Sequence, residues 1–82
     1  MMVLHRPDKT EFTPPRKLTP RQRVILVCVV GGARYKAIAA KLGISQRTVR
    51  QHVETIALVL PGDGSPRHKV TVWADVLLQH VA

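Results

Sequence analysis

The spacing of apolar residues along the chain predicts helices that are separated by glycines and prolines. The clearest repeat has intervals of four, three and four residues: Val49, Val53, Ile56 and Leu60. A repeat of this kind places one side of a helix against a core. Ser45 can cap the start of this helix, which we expect to run from Gln46 to about Leu60.

Two further helices are predicted before this one. Thr19 and Gln22 have the spacing of a capping box around a proline, so we expect the first helix over residues 20–30. Two glycines then end it. The second helix is predicted over residues 35–42, where Gly43 supplies the backbone conformation that ends a helix.

A fourth helix is predicted after a loop rich in proline and glycine at residues 61–66. Its apolar positions are Val70, Trp73, Val76 or Leu77, and Val81. No segment has a convincing strand pattern, so the predicted fold is all-α, a compact four-helix bundle that contains a helix-turn-helix. Residues 18–82 form this domain, and residues 1–17 form a basic, proline-rich arm that either orders on binding or stays solvated.

Charge then narrows the class of partner. The 82 residues include 13 basic and 5 acidic side chains, a formal net charge of +8, which indicates a nucleic acid or an anionic membrane surface. Seven basic residues and one acidic residue lie within 18–60, whereas 61–82 is balanced. Because the third helix has no aromatic residue to enter a membrane surface, and two helices joined by a short turn suit the major groove, duplex DNA fits better.

Other chemistry has little support in the sequence. The single cysteine, Cys28, lies in an apolar run, where a thiol usually packs as a small hydrophobic group. No phosphate-binding loop, metal-ligand spacing or catalytic pair is recognisable, so we expect no enzyme activity, no cofactor and no metal. The longest apolar run is too short to cross a membrane, and a cytoplasmic protein is expected.

The polar side of the third helix carries the candidate contacts to bases, namely Arg47, Arg50, Gln51 and Glu54. Arg50 can donate two hydrogen bonds to guanine, and Gln51 can pair with adenine. Arg47 is either a second base contact or a phosphate contact. Glu54 either accepts from cytosine or pairs with Arg50 one turn earlier on the helix.

Contacts to phosphates are also predicted, and such contacts do not depend on the DNA sequence. Gln46 and Thr48 lie at a helix start, whose backbone N–H groups favour an anion. Positive side chains would neutralise further phosphates. The predicted phosphate contacts are Arg21, Arg34, Lys36, Gln46 and Thr48. Tyr35 either donates its hydroxyl to a phosphate or packs at the edge of the core.

Four short motifs together resemble the DNA-binding domain of the LuxR or GerE type. They are Leu18-Thr19-Pro20-Arg21-Gln22-Arg23, Lys36-Ala37-Ile38-Ala39, Leu42-Gly43-Ile44-Ser45 and Thr48-Val49-Arg50-Gln51-His52-Val53. The resemblance covers residues 18–60 without a gap, and His52 separates it from the similar region 4 of sigma factors. It implies a four-helix domain without a receiver or ligand-binding domain, whose third helix enters the major groove.

The resemblance also implies roles for particular residues. Arg50 and Gln51 fall on positions that touch DNA in the family, Glu54 falls on a third that is usually basic, and Lys36 matches a position that contacts the DNA backbone. The fourth helix would pair two protomers into a homodimer. The predicted dimer contacts are Trp73, Val76 and Leu77, although Trp73 could instead fill the core of the protomer.

Departures from the family pattern support a rival function. Arg34 stands where a capping serine is common, so the second helix loses a cap. Val24 and Val27 occupy positions that are usually charged, which makes the first helix apolar nearly all round. A protein partner could cover this surface, and the chain would then be an interaction module for a transcription factor or RNA polymerase that contacts no bases.

Overall fold

The computed structural model describes residues 17–79, and the regular elements within this range are helices. They follow one another in a single order: α1 Pro20–Val30, α2 Tyr35–Leu42, α3 Gln46–Ala57, α4 Pro66–Val72 and α5 Ala74–Leu78. The all-α prediction is confirmed. Of the predicted arm at residues 1–17, all but Lys17 lies outside the described residues, as does Val81 of the predicted fourth helix.

Side-chain caps determine where three of the helices begin. The hydroxyl of Thr19 accepts from the N–H of Gln22 at 3.2 Å, and the N–H of Thr19 donates to Oε1 of Gln22 at 3.1 Å. This is the predicted capping box. Ser45 and Ser65 cap α3 and α4 in the same way, through a hydroxyl that accepts from a backbone N–H three residues later.

The end of α1 turns through a glycine with a positive φ angle. Gly32 has φ +90°, its N–H donates to the carbonyl of Val29, and the N–H of Ala33 donates to the carbonyl of Cys28. These two bonds define a Schellman motif, which satisfies carbonyls that a helix end leaves free. The chain then turns sharply into α2.

The core lies around α3, which packs against α1, α2 and α4. Its predicted apolar repeat is buried, with Val49 fully enclosed and Val53, Ile56 and Leu60 at most 5% exposed. The largest enclosed side chains on the other helices are Trp73, Ile25, Leu26, Ile38, Leu77 and Val70. The third helix is therefore fixed on one side, and its other side faces solvent.

Two predicted helix boundaries differ from the structure. The third helix ends at Ala57, not Leu60, and the chain continues in a turn in which the N–H of Leu60 donates to the carbonyl of Ala57. Pro61 disfavours helical backbone at Leu60. The predicted fourth helix is broken at Trp73, where φ is −99° and ψ is 10°. Val76 and Leu77 both lie in α5, after the break, and both are buried.

Candidate nucleic-acid interface

The outward side of α3 brings together the four residues predicted to contact bases. Gln46, Arg47, Arg50, Gln51 and Glu54 are all exposed and line one open surface depression of about 440 Å³. We call these five residues the α3 polar face. Their spacing of three and four residues places them on one side of the helix, opposite the buried Val49 and Val53.

At the start of α3, the side chains of Ser45 and Thr48 are hydrogen-bonded to each other, which the sequence did not indicate. Ser45 accepts from the N–H of Thr48 at 3.0 Å, and the two hydroxyl oxygens lie 2.8 Å apart. Thr48 is half-buried, and its hydroxyl is hydrogen-bonded to the hydroxyl of the capping residue Ser45. Gln46 is exposed and lies on the α3 polar face itself.

The start of α2 carries two exposed cations. Arg34 occupies the capping position of this helix and makes no side-chain cap hydrogen bond, which agrees with the predicted loss of the cap. Lys36 lies in the first turn and is exposed. The first N–H groups of α2 therefore have no capping side chain, and two positively charged residues, Arg34 and Lys36, lie in the same segment.

Arg21 is separate from this cluster. It is exposed in the first turn of α1, and it is not among the residues that line the depression on α3. The structure therefore brings five of the nine predicted DNA contacts into one surface and places Arg21 on a different helix.

Tyr35 is the first residue of α2, and charges of the α3 polar face act on its hydroxyl. Burial raises the pKa of its hydroxyl above the ordinary value, while the positive charges of Arg67 and Arg50 act to lower it and Glu54 acts to raise it. The charges of α3 thus act on the phenol directly. The half-buried ring is at the edge of the core and its hydroxyl is within the electrostatic reach of the α3 polar face.

Arg67 is the residue at this site that sequence reasoning missed. Its Nη2 donates to the carbonyls of Ala33 at 2.6 Å and Val29 at 3.3 Å, and its Cζ lies 5.3 Å from the centroid of the Tyr35 ring. In the sequence it counted only toward the charge balance of residues 61–82. Its partners lie more than 30 residues earlier, so no local pattern could have identified them.

The residues predicted at a dimer interface lie inside the protomer. Trp73 is 2% exposed, Val76 is 7% exposed and Leu77 is 2% exposed. Of the two roles that the sequence left open for Trp73, the structure places the indole in the core. A partner could reach these side chains only if the core opened, because the packing that holds α4 and α5 to the rest of the protein already covers them.

Apolar side chains remain on the surface, as the composition of the first helix indicated. On α1, Val24 is 38% exposed, Val27 is 46% exposed and Val30 is 45% exposed. After α3, Leu58 is 82% exposed and Val59 is 45% exposed. Such residues add contact area for another molecule without adding charge.

Residues 17–79 lack two other kinds of feature. None of the helices described there has the length and apolar character needed to cross a membrane. Within the same range, no group of three or more His, Cys, Asp or Glu side chains could hold a metal ion.

A capped helix with a polar outer face, preceded by a helix and a glycine-containing turn, defines a helix-turn-helix DNA-binding domain. The chain belongs to the luxR family of bacterial regulatory proteins, whose GerE family model matches residues 16–58, more than half of the chain. This confirms the predicted resemblance and makes the protein, in general terms, a DNA-binding transcription regulator. No curated protein and no solved structure matched the chain.

Proposed function

We propose that this protein is a sequence-specific regulator of transcription that places α3 in the major groove of duplex DNA. The observation that carries the proposal is the α3 polar face. It offers two guanidinium groups, two side-chain amides and a carboxylate on one exposed surface, held by a buried opposite side. An α-helix fits the major groove, and these side-chain types distinguish base pairs there.

Each member of the α3 polar face has a role in this proposal. Arg50 lies at the centre and donates to O6 and N7 of a guanine, and Gln51 pairs with an adenine. Arg47 contacts either a second base or a phosphate. Glu54 either accepts from a cytosine or pairs with Arg50, which precedes it by one helical turn.

Phosphate contacts would set the register of α3 in the groove. The uncapped start of α2, with Arg34 and Lys36 exposed, is the best supported of these contacts, because backbone N–H groups and cations there favour an anion. Gln46 and Thr48 would contact a phosphate at the start of α3. Arg21 on α1 would reach the backbone farther along the duplex.

We further propose that two copies act together in the cytoplasm as a homodimer through their C-terminal helices. A domain of 82 residues buries a limited core, so association would add stability, and a twofold-related site would double the base contacts. Since Trp73, Val76 and Leu77 are buried, the partner would contact the outward side of α4 and α5. Thr71 is exposed there and Leu78 is half-buried.

A second function is supported by the exposed apolar side chains. Val24, Val27 and Val30 recur at intervals of three residues along α1, and Leu58 projects into solvent. They would suit an interaction module that binds a transcription factor or RNA polymerase without contacting bases. The two functions differ in their dependence on Arg50, because the interaction module would retain its activity in Arg50→Ala.

Selection of duplexes from a random DNA pool by the purified protein, at near-physiological salt, tests the proposal. We expect enrichment of a site with two related halves, which would show a dimer that recognises sequence. Enrichment of one half-site would support sequence recognition and contradict the dimer. Recovery of the unselected pool would contradict sequence recognition and favour the interaction module.

A further inference from the structure

Arg67, in the first turn of α4, connects three parts of the fold. Its Nη2 donates to the carbonyls of Ala33 and Val29, and its Cζ lies over the Tyr35 ring at 5.3 Å from the centroid. A guanidinium group is planar and can donate hydrogen bonds at its edge while an aromatic ring lies against its face. Both kinds of contact therefore form at once, around a half-buried side chain.

The two carbonyls belong to the turn between α1 and α2. Val29 also accepts from the N–H of Gly32, so the turn is already closed by its own backbone. Arg67 adds a side-chain partner to this turn from a residue 34 positions after Ala33. Because α2 leaves the turn immediately afterwards, these bonds fix where α2 begins relative to α4.

Tyr35 connects this turn to the helix that carries the base contacts. It is the first residue of α2, and its ring lies beside Arg67 on α4. The charges of Arg50 and Glu54 on α3 act on its hydroxyl. The ring of Tyr35 thus connects α2 with α4, and its hydroxyl lies within the electrostatic reach of α3.

Resting on the DNA-binding function proposed above, we propose that Arg67 is a positioning residue of the DNA interface. It holds the α1–α2 turn and the ring of Tyr35 in place. The cations at the start of α2 then approach the DNA backbone at a fixed distance from Arg50 on α3.

In this proposal Arg67 acts without contacting DNA, since its Nη2 donates to two carbonyls and its face lies over a ring. This distinguishes it from a phosphate contact. Removing a phosphate contact lowers the salt dependence of binding, whose log–log slope is about −0.9 per phosphate neutralised. Removing a positioning residue weakens binding whether or not the charge is kept, and any change in slope comes from the displaced α2 cations, so it is the same in Arg67→Gln and Arg67→Lys.

The test measures binding of the full chain to a labelled duplex recovered from the random pool, over a range of salt concentrations. The variants are Arg67→Gln and Arg67→Lys, and the matched control is Lys69→Gln, which removes one charge from the same helix. Circular dichroism and the fluorescence of Trp73, the only tryptophan, verify that each variant is folded at the temperature used. Arg67→Lys keeps the charge and serves as the second variant if Arg67→Gln does not fold.

We expect both Arg67 variants to raise the Kd about fivefold and to share the same salt slope, and Lys69→Gln to change the Kd less than about twofold. Lysine should not restore binding, because it lacks the planar group that meets the carbonyls and the ring together. Full recovery in Arg67→Lys would overturn the proposal, since charge alone would then suffice. A slope reduced by one phosphate in Arg67→Gln but not in Arg67→Lys would overturn it as well, because the charge of Arg67 would then itself contact DNA.

A double-mutant cycle with Tyr35→Ala tests whether Arg67 acts through the ring. If it does, Arg67→Gln should raise the Kd much less in the Tyr35→Ala background than in the wild type. Equal effects in both backgrounds would contradict the connection through Tyr35. A wild-type protein that binds no duplex would refute the proposed function and this inference together, whereas normal binding by a folded Arg67→Gln would refute only the inference.

Discussion

Gly64 lies so close to His68 that a Cβ atom at position 64 would come within 2.9 Å of Cδ2 of the imidazole. Gly64 also has φ +113°, a conformation that side chains rarely adopt. The loop before α4 therefore depends on this glycine for its backbone conformation, and an added Cβ would also require the exposed imidazole of His68 to move. Gly62 in the same loop has φ +100°, and a Cβ atom there would meet no other atom. Position 62 therefore requires glycine only for its backbone conformation.

We predict that Gly64→Ala lowers the free energy of unfolding more than Gly62→Ala does. Each change should cost about 1–3 kcal/mol for the strained backbone, and position 64 adds the contact with the ring. Urea denaturation monitored by Trp73 fluorescence measures both. In a His68→Ala background the two losses should become equal, and a difference that persists there would show that the ring is not its cause.

The capping box at α1 gives a second stability prediction. Thr19→Ala should lower the free energy of unfolding by about 1 kcal/mol, because the N–H of Gln22 loses its acceptor. Thermal melting followed by circular dichroism measures the change. Thr55→Ala, at an exposed threonine within α3, is the comparison, and an equal loss there would argue against a specific role for the cap.

Elements whose cause is local could be predicted from the sequence. The capping box at Thr19, the glycine at position 43 and the apolar repeat of α3 each act within a few residues, and the structure contains all three. The polar residues of α3 follow from the same repeat, since burying Val49 and Val53 leaves Arg50 and Gln51 outside. The family match then agrees with motifs drawn from these same segments.

Features whose cause lies far away in the chain could not be predicted in this way. The apolar spacing of residues 70–77 does not indicate the break at Trp73, whose indole is buried against residues distant in the chain. The partners of Arg67 become neighbours only after α1, α2 and α4 have packed. A residue whose contacts are all distant looks like an ordinary surface charge in the sequence.

The burial of Trp73 leads to a prediction about folding. Trp73→Ala should lower the free energy of unfolding by about 3–5 kcal/mol, since it leaves a large cavity in the core. That is a large part of the stability of a domain this size, so we expect a strongly lowered melting temperature. Val59→Ala, at an exposed apolar position, should cost far less. An unchanged melt for Trp73→Ala would contradict the core position of the indole.

Tyr35 gives a prediction about alkaline pH. Burial raises the pKa of Tyr35 in the folded protein above the unfolded value of about 10. The free energy of unfolding is therefore larger when the phenol is neutral than when it is ionised. This stabilisation is complete below the unfolded pKa and is lost as the pH rises through the folded pKa. The ultraviolet absorbance of tyrosinate measures it directly, since Tyr35 is the only tyrosine. Its titration midpoint should be higher in the native protein than in urea.

Tyr35→Phe is the control for that alkaline effect. It keeps the ring beside Arg67 and removes the ionisable group, so its stability should decline less steeply over the same pH window. Lysines also titrate at high pH and contribute to both proteins alike. Equal midpoints in native and denatured wild type would contradict the raised pKa of Tyr35.

The final prediction separates the two kinds of DNA contact. Arg50→Ala should cost about 1–3 kcal/mol of binding free energy on the selected duplex and relax the preference at one base pair, because a paired donor to that base is lost. Lys36→Ala should weaken binding to all duplexes alike and reduce the magnitude of the salt slope by about 0.9, the contribution of one phosphate.

Competition binding with the selected duplex and a scrambled duplex of equal length measures both effects. Arg23→Ala, which removes one charge from an exposed position on α1, controls for net charge. If Arg50→Ala weakened both duplexes equally, Arg50 would be a phosphate contact, and base recognition would have to come from Arg47, Gln51 or Glu54. If Lys36→Ala changed the preference between duplexes, the start of α2 would lie at a base edge, and α3 would enter the groove at a different angle.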